Sequence, residues 1–446
     1  ILTVTSDTGN VRFASTLNDE VTADVHDVVV NAPSGLIDFN AVVGTTTAIN
    51  DLTISGEDVE FNGDVTATQD IDMSASDNVL LATDVVLTAD NVLFGANTNV
   101  DGAQSLQVAA TTNAVLGDIG DITRLTDLDV DGATVTLNGD ITVAGGIDFI
   151  GSAAIVLGDD ASLTSTAAGT ITFASGGTLD GGFDLTVSDV DGDIDFGLTV
   201  GGTTALDSLT LQSLAADHDV NVTAGAITTT GDVVMQSGGD VDVDVTVTSN
   251  SGSVSLTGGD DVEIAATITG NDGVDLQATD VLEIKGDIVS GADVDGSGAS
   301  VDIDNTIAAT GDIDINATNT NVDIDNTLTS SNGTLSVTAE EDVLVGAALT
   351  GQDGLVLSAG TDAGDILEIK GTIVSGAGGL LGSGAVVDID NTITTAGNID
   401  VNATDTLLDV AATVTSNQGD VALNALTDVN LGANVVGDNV TVQSNT

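Results

Sequence analysis

A chain whose apolar pairs return every 21 residues has few folds open to it. Through the second half the pairs open successive blocks at Val220, Val241, Val262, Val281, Val301, Val322, Val343, Ile366, Val387, Leu408 and Val429, most of them 21 residues apart. Inside the block from Val301 to Asn321, the residues Val301, Ile303, Ile307, Ile313 and Ile315 form short alternating runs, parted by Asn305-Thr306 and Thr310-Gly311. Alternation in steps of two marks a half-buried strand, and turn residues at the breaks give strand, turn, strand, turn, strand. One such block has too little apolar surface to fold alone. Stacking blocks at the strand spacing of ~4.8 Å joins their apolar faces into a continuous core. The expected fold is all-β, a single-stranded parallel β-helix or β-solenoid, with the spacings of 19 to 23 residues absorbed in turns.

A longer period lies over the short one. Thr248-Ser-Asn-Ser-Gly252, Thr329-Ser-Ser-Asn-Gly333 and Thr415-Ser-Asn-Gln-Gly419 are related by shifts of 81 and 86, and Leu282-Glu-Ile-Lys-Gly286 returns as Leu367-Glu-Ile-Lys-Gly371 after 85. Four coils therefore make one unit of sequence. The first half carries the same scale in other words, with Gly44-Thr-Thr-Thr-Ala, Gly120-Asp-Ile-Thr-Arg-Leu and Gly201-Gly-Thr-Thr-Ala-Leu shifted by 76 and 81. All eight Phe residues precede position 197. The chain thus reads as a Phe-containing repeat subtype over 1–215 and regular 21-residue coils over 216–446. The only proline is Pro33 and no linker composition intervenes, so one continuous rod is expected, roughly 21 coils and on the order of 100 Å long. The sequence opens in mid-pattern at Ile1-Leu-Thr-Val-Thr, as a segment of a longer polypeptide does.

Composition limits the partners. Seventy acidic residues stand against four basic ones, Arg12, Arg124, Lys285 and Lys370, for a formal charge of -66. That balance excludes an electrostatic grip on nucleic acid or anionic membranes and makes divalent cations the natural counter-partners. A hydrophobic content of 41% argues for a buried core rather than disorder. No run approaches the 18 apolar residues of a membrane span, so no membrane insertion is expected within this segment. Two histidines, no cysteine, no tryptophan and no tyrosine leave little from which to build a catalytic constellation or a sugar platform, and no enzyme is expected.

The Val200-Gly-Gly-Thr-Thr-Ala-Leu-Asp-Ser-Leu-Thr-Leu211 run, with its Gly-Asp-Val and Thr-Ser-x-x-Gly punctuation, resembles the repeat regions of filamentous-haemagglutinin-type bacterial surface proteins. The resemblance implies a right-handed, three-sided β-helix that is secreted and displayed at the cell surface as an adhesive stalk or fibre. A self-assembling extracellular filament, sheath or surface-layer subunit, binding copies of itself or other surface components, is the alternative.

The residues with the most chemistry are two adjacent copies of one motif, Val301-Asp302-Ile303-Asp304-Asn305-Thr306 and Val322-Asp323-Ile324-Asp325-Asn326-Thr327. With Val and Ile inward, alternation sets Asp302 over Asp323 and Asp304 over Asp325 on the outer face. Like charges at ~5 Å repel by about 1 kcal/mol even when solvated, so either a calcium ion bridges the four or the side chains splay into water. Asp388 and Asp390 repeat the motif under a neighbour, Leu408-Asp409-Val410-Ala411, that keeps one carboxylate, and weaker binding is expected there. Asp189-Val-Asp191-Gly-Asp193-Ile-Asp195 lacks the full calcium-loop pattern and reads as a turn between strands. Asn305 and Asn326 suggest an amide ladder, and Glu283 with Lys285 and Glu368 with Lys370 suggest exposed ion pairs. The Thr-x-Thr positions are too often interrupted for an ice-binding array.

Overall fold

The computed structural model describes residues 1–20 and 26–445, and among them every regular element is a strand. All registered pairs are parallel, and each strand of the regular coils pairs with the third strand after it. That is a parallel β-solenoid with three strands to a coil. Contacts divide the chain into two compact units, Ile1–Thr230 and Gly231–Thr446.

In the second unit the strands fall into three stacks. The first runs from Val241–Val243 to Asp428–Leu431, the second from Val247–Ser249 to Val435–Val436, and the third from Val233–Ser237 to Val440–Ser444. The inward files of the first stack are almost wholly aliphatic: Val301, Ile303, Val322 and Ile324 are each at most 2% exposed. Burying one such side chain contributes about 1.5–3 kcal/mol, and the gain recurs at every storey. The spacing pattern needs one correction. At two coils the inward residue is Leu282 or Leu367, paired to Val262 and Val343, while Val281 and Ile366 are half-buried before them. Two apolar residues in a row hid the phase. The extra residues of the long coil form the exposed turn around Thr361 to Gly364, where insertions cost least.

The first unit is built more loosely. Strands Val28–Phe39 and Ser105–Leu116 run for 12 residues, and Leu52–Phe61 and Val85–Phe94 for 10. The two longest turn a corner through a register shift, between Ala32 and Leu36 and between Ala110 and Asn113. Phenylalanines lie in register inside: Phe13 stacks on Phe39 at 4.9 Å, Phe39 on Phe61 at 5.3 Å and Phe149 on Phe173 at 5.1 Å, while Phe196 meets Phe173 at 5.0 Å with its ring tilted by 54°. Gly44, Gly120 and Gly201, which open the three related motifs, all have φ between 71° and 79°. Each also packs against the carbonyl of the next coil, at Thr66, Thr142 and Thr228, so a side chain is excluded twice over.

Candidate functional site: a carboxylate file and its corners

The middle residue of each first-stack strand points outward, and register turns these residues into a file. Asp242, Glu263, Glu283, Asp302 and Asp323 succeed one another over five storeys; Leu344 interrupts; Glu368, Asp388 and Asp409 resume. The expected pairing of Asp302 with Asp323 is therefore present, but as the end of a longer series. Both are half-buried, whereas Asp304 and Asp325, just past the strands, are exposed. Burial first, and then the neighbouring Asp304, Asp323 and Glu283, push Asp302 above the usual carboxylate range. Asp323 is raised by burial and then by Asp325.

A cation already sits in part of this file, on a tether. Lys285 Nζ lies 2.7 Å from Glu263 Oε1 and 2.9 Å from Glu283 Oε2, clamping two storeys. Lys370 reaches Glu368 Oε2 at 2.7 Å. Asp302, Asp304, Asp323 and Asp325 take part in no ion pair among the described residues. One trio there, Glu368, Asp388 and Asp390, brings its ligand oxygens within 4.8 Å of one another. The sequence motif points to Asp409 of the following coil as the neighbour of Asp388; register adds a second one from the preceding coil, Glu368.

The amide ladder takes a different form from the one expected. Asn305 Nδ2 donates to the Lys285 carbonyl at 3.2 Å and Asn391 Nδ2 to the Lys370 carbonyl at 2.9 Å, while each Oδ1 accepts the N–H of the threonine that follows. The amides thus bond to backbone, not to one another. A backbone carbonyl of the coil below is a nearer and fixed acceptor.

Many other carboxylates are not free surface charges either. Asp232 Oδ1 accepts the N–H of Ser253 at 2.7 Å, and Asp312 Oδ1 accepts the N–H of Thr334 at 2.7 Å and its hydroxyl at 3.0 Å. Asp118 receives Asp140, Asp140 receives Ser162, and Asn398 receives Asp420 in the same way. Each is a corner residue accepting from the corner one coil later. This explains the Thr-Ser-x-x-Gly motif. Ser249, Ser330 and Ser416 accept the N–H of Gly252, Gly333 and Gly419 and donate to the carbonyls of Gly231, Gly311 and Gly397. A Cβ on any of those three later glycines would meet the corner Oδ1 of Asp232, Asp312 or Asn398.

Two neighbouring outward positions of the third stack are apolar and exposed. Val356 and Leu381 are adjacent in register and 36% and 57% exposed, where the corresponding residues of the preceding sequence unit are Asp275 and Asp295. They line a surface depression of 440 Å³ with Ser358, Ser383, Asp400 and Asn402. No family model matches the chain, and neither a curated protein nor a solved structure matches it.

Proposed function

We propose that the chain is a structural, non-enzymatic stalk segment of a large extracellular bacterial surface adhesin or fibre protein. The observation that carries this reading is the near-equivalence of the storeys: ten successive strands of one stack stay in parallel register, eight of them with a carboxylate at the outward position. A wall of that kind spreads load over many identical backbone ladders, whereas a catalytic or recognition protein concentrates unlike groups at one place. The resemblance of the Val200 to Leu211 run to filamentous-haemagglutinin-type repeats supports the same role. The outward carboxylates keep a long β-surface dispersed by mutual repulsion. Divalent cations, calcium first, are the counter-ions this reading assigns to Asp302, Asp304, Asp323 and Asp325.

Localisation and mechanics test the proposal together. Antibodies against the chain are expected to label intact cells of the source organism, and the purified chain pulled from its ends is expected to yield in multi-coil steps. Retention in the cytoplasm would overturn the surface role. Concentration-dependent polymers of the purified chain would favour the filament subunit over the stalk.

A further inference from the structure

Asp189 is out of place. It ends strand Asp184–Asp189 with its side chain inside the wall, 0% exposed, in register between Ser165 and Ser213, which are equally buried. Both serines use their hydroxyl hydrogen on a turn carbonyl, Ser165 on Ala167 at 3.0 Å and Ser213 on Gly192 at 2.9 Å. Ser249, Ser330 and Ser416 of the second unit behave alike. A carboxylate has no hydrogen to give. Asp189 Oδ1 accepts the N–H of Asp191 at 3.1 Å, but the buried Oδ2 has no hydrogen-bond partner. Oδ2 lies 3.0 Å from the point where a Cβ on Gly192 would stand, and the carbonyl oxygen of Gly169 faces the same space. Both oxygens thus border the same point at Gly192, and Oδ2 meets no donor there, an arrangement that costs free energy until a hydrogen is supplied.

We propose that Asp189 is a proton-binding site built into the first unit: as the neutral acid it donates from Oδ2 to the Gly169 carbonyl and locks the turn at 190–193. Losing that proton leaves a bare carboxylate in the wall and a looser turn. Burial is the leading cause that pushes Asp189 up to about 6, opposed by the Asp191 N–H, by Ser165 and by His218, and assisted by Asp193. The flanking strands Ala161–Ser165 and Ser208–Ser213 bring no titratable group against it. His218 stays outside the turn, its Nδ1 3.0 Å from Asp193 Oδ1 and its Nε2 3.8 Å from Asp191 Oδ1. Because the folded value lies above the ordinary 3.8, the folded chain holds the proton more tightly than the unfolded one. The stabilisation is complete below the unfolded value and is lost as pH rises through about 6.

Thermal unfolding of the full chain from about pH 4 to pH 8, for the wild type, Asp189→Asn and Asp189→Ser, tests this. The amide donates permanently, and the serine restores the hydroxyl of its neighbours. Other titrating carboxylates are common to all three proteins and cancel in the differences. Both variants are expected to match the wild type at the acid end and to melt several degrees higher at the alkaline end. An offset that does not change with pH, in whichever variant folds, or a wild type that remains the more stable protein at the alkaline end, overturns the proposal.

Discussion

The two units build the same kind of wall from different cores. In the first, four strands of 10 to 12 residues stand among strands of two to six, two of them bending through a corner, and phenylalanine stacks fill part of the interior. In the second, strands of two to six residues enclose Val, Ile and Leu only slightly varied from storey to storey. The outer faces differ accordingly. One outward file of the first unit reads Asp129, Asp148, Thr172, Asp195, Asn221, broken at every second or third storey by a neutral residue. The second unit sets five acids in succession, from Asp242 to Asp323. Regular repetition copies a good packing solution, and it copies a repulsion just as faithfully. Irregular repetition avoids the second at the expense of the first.

The largest expected contrast lies in the cores. Phe173→Ala removes the middle ring of a three-ring row and is expected to destabilise the first unit by about 3–5 kcal/mol, against about 0.5–1.5 kcal/mol for Ile303→Val in the second. Denaturant midpoints that fall equally for both would erase the distinction. Next comes the corner bond that both units share. Asp312→Ala is expected to cost about 1–2 kcal/mol, the usual loss for an unsatisfied turn N–H, while Asp312→Asn, which mimics Asn398, stays within about 0.5 kcal/mol. Equal losses in the two variants would show that charge, not acceptance, matters there.

The carboxylate file gives the third test. Asp302, Asp323 and Asp388 are all raised, by burial first and then by acidic neighbours, so these three groups hold their protons more tightly in the folded chain than in the unfolded one. Their contribution to stability is therefore greatest below the unfolded value of 3.8 and declines as pH climbs through the raised values, the reverse of ordinary acid denaturation. Asp302→Asn with Asp323→Asn should flatten that profile and stabilise the neutral protein by about 1 kcal/mol at low salt. Calcium should raise the melting temperature of the wild type and leave the double variant unmoved; a chelator without effect at low salt would remove the calcium reading. Smallest of all is Lys285→Met. Its two exposed bridges predict a loss below about 1 kcal/mol that vanishes in high salt.

The coil, its three strands and the outward placement of Asp302 and Asp323 were legible because alternation in steps of two reports directly on which face is buried. Phase was less so: Val281-Leu282 and Ile366-Leu367 offer two inward candidates each, and only pairing to Val262 and Val343 decides between them. Neighbourhood across storeys was the weakest point. Glu263 beneath Glu283, and Glu368 beneath Asp388, follow from register, which a spacing of 19 to 24 residues leaves open by one position. Asp189 was hidden for another reason. Its spacing fits a surface turn, and nothing in the local string tells that Ser165 and Ser213 place that position inside. The acceptor role of the corner residues Asp232 and Asp312 is not legible in the local string either, because each accepts from a residue some 21 positions away.

Those corner bonds all run one way. Asp51 waits for the N–H of Asp70, Asp64 for Val86, Asp84 for Ser105, Asp232 for Ser253, Asp312 for Thr334 and Asp342 for Ile366; in each the acceptor precedes the donor in the chain. A coil that has closed therefore offers a set of ready side-chain sockets to the coil that emerges after it, and the later coil answers through backbone carbonyls, as Ser253 does toward the Val233 N–H. The molecule carries an arrow in its side chains as well as in its backbone. Growth of the wall from the amino-terminal side, the order in which a ribosome delivers the coils, would find a side-chain acceptor in place at each of these six corners.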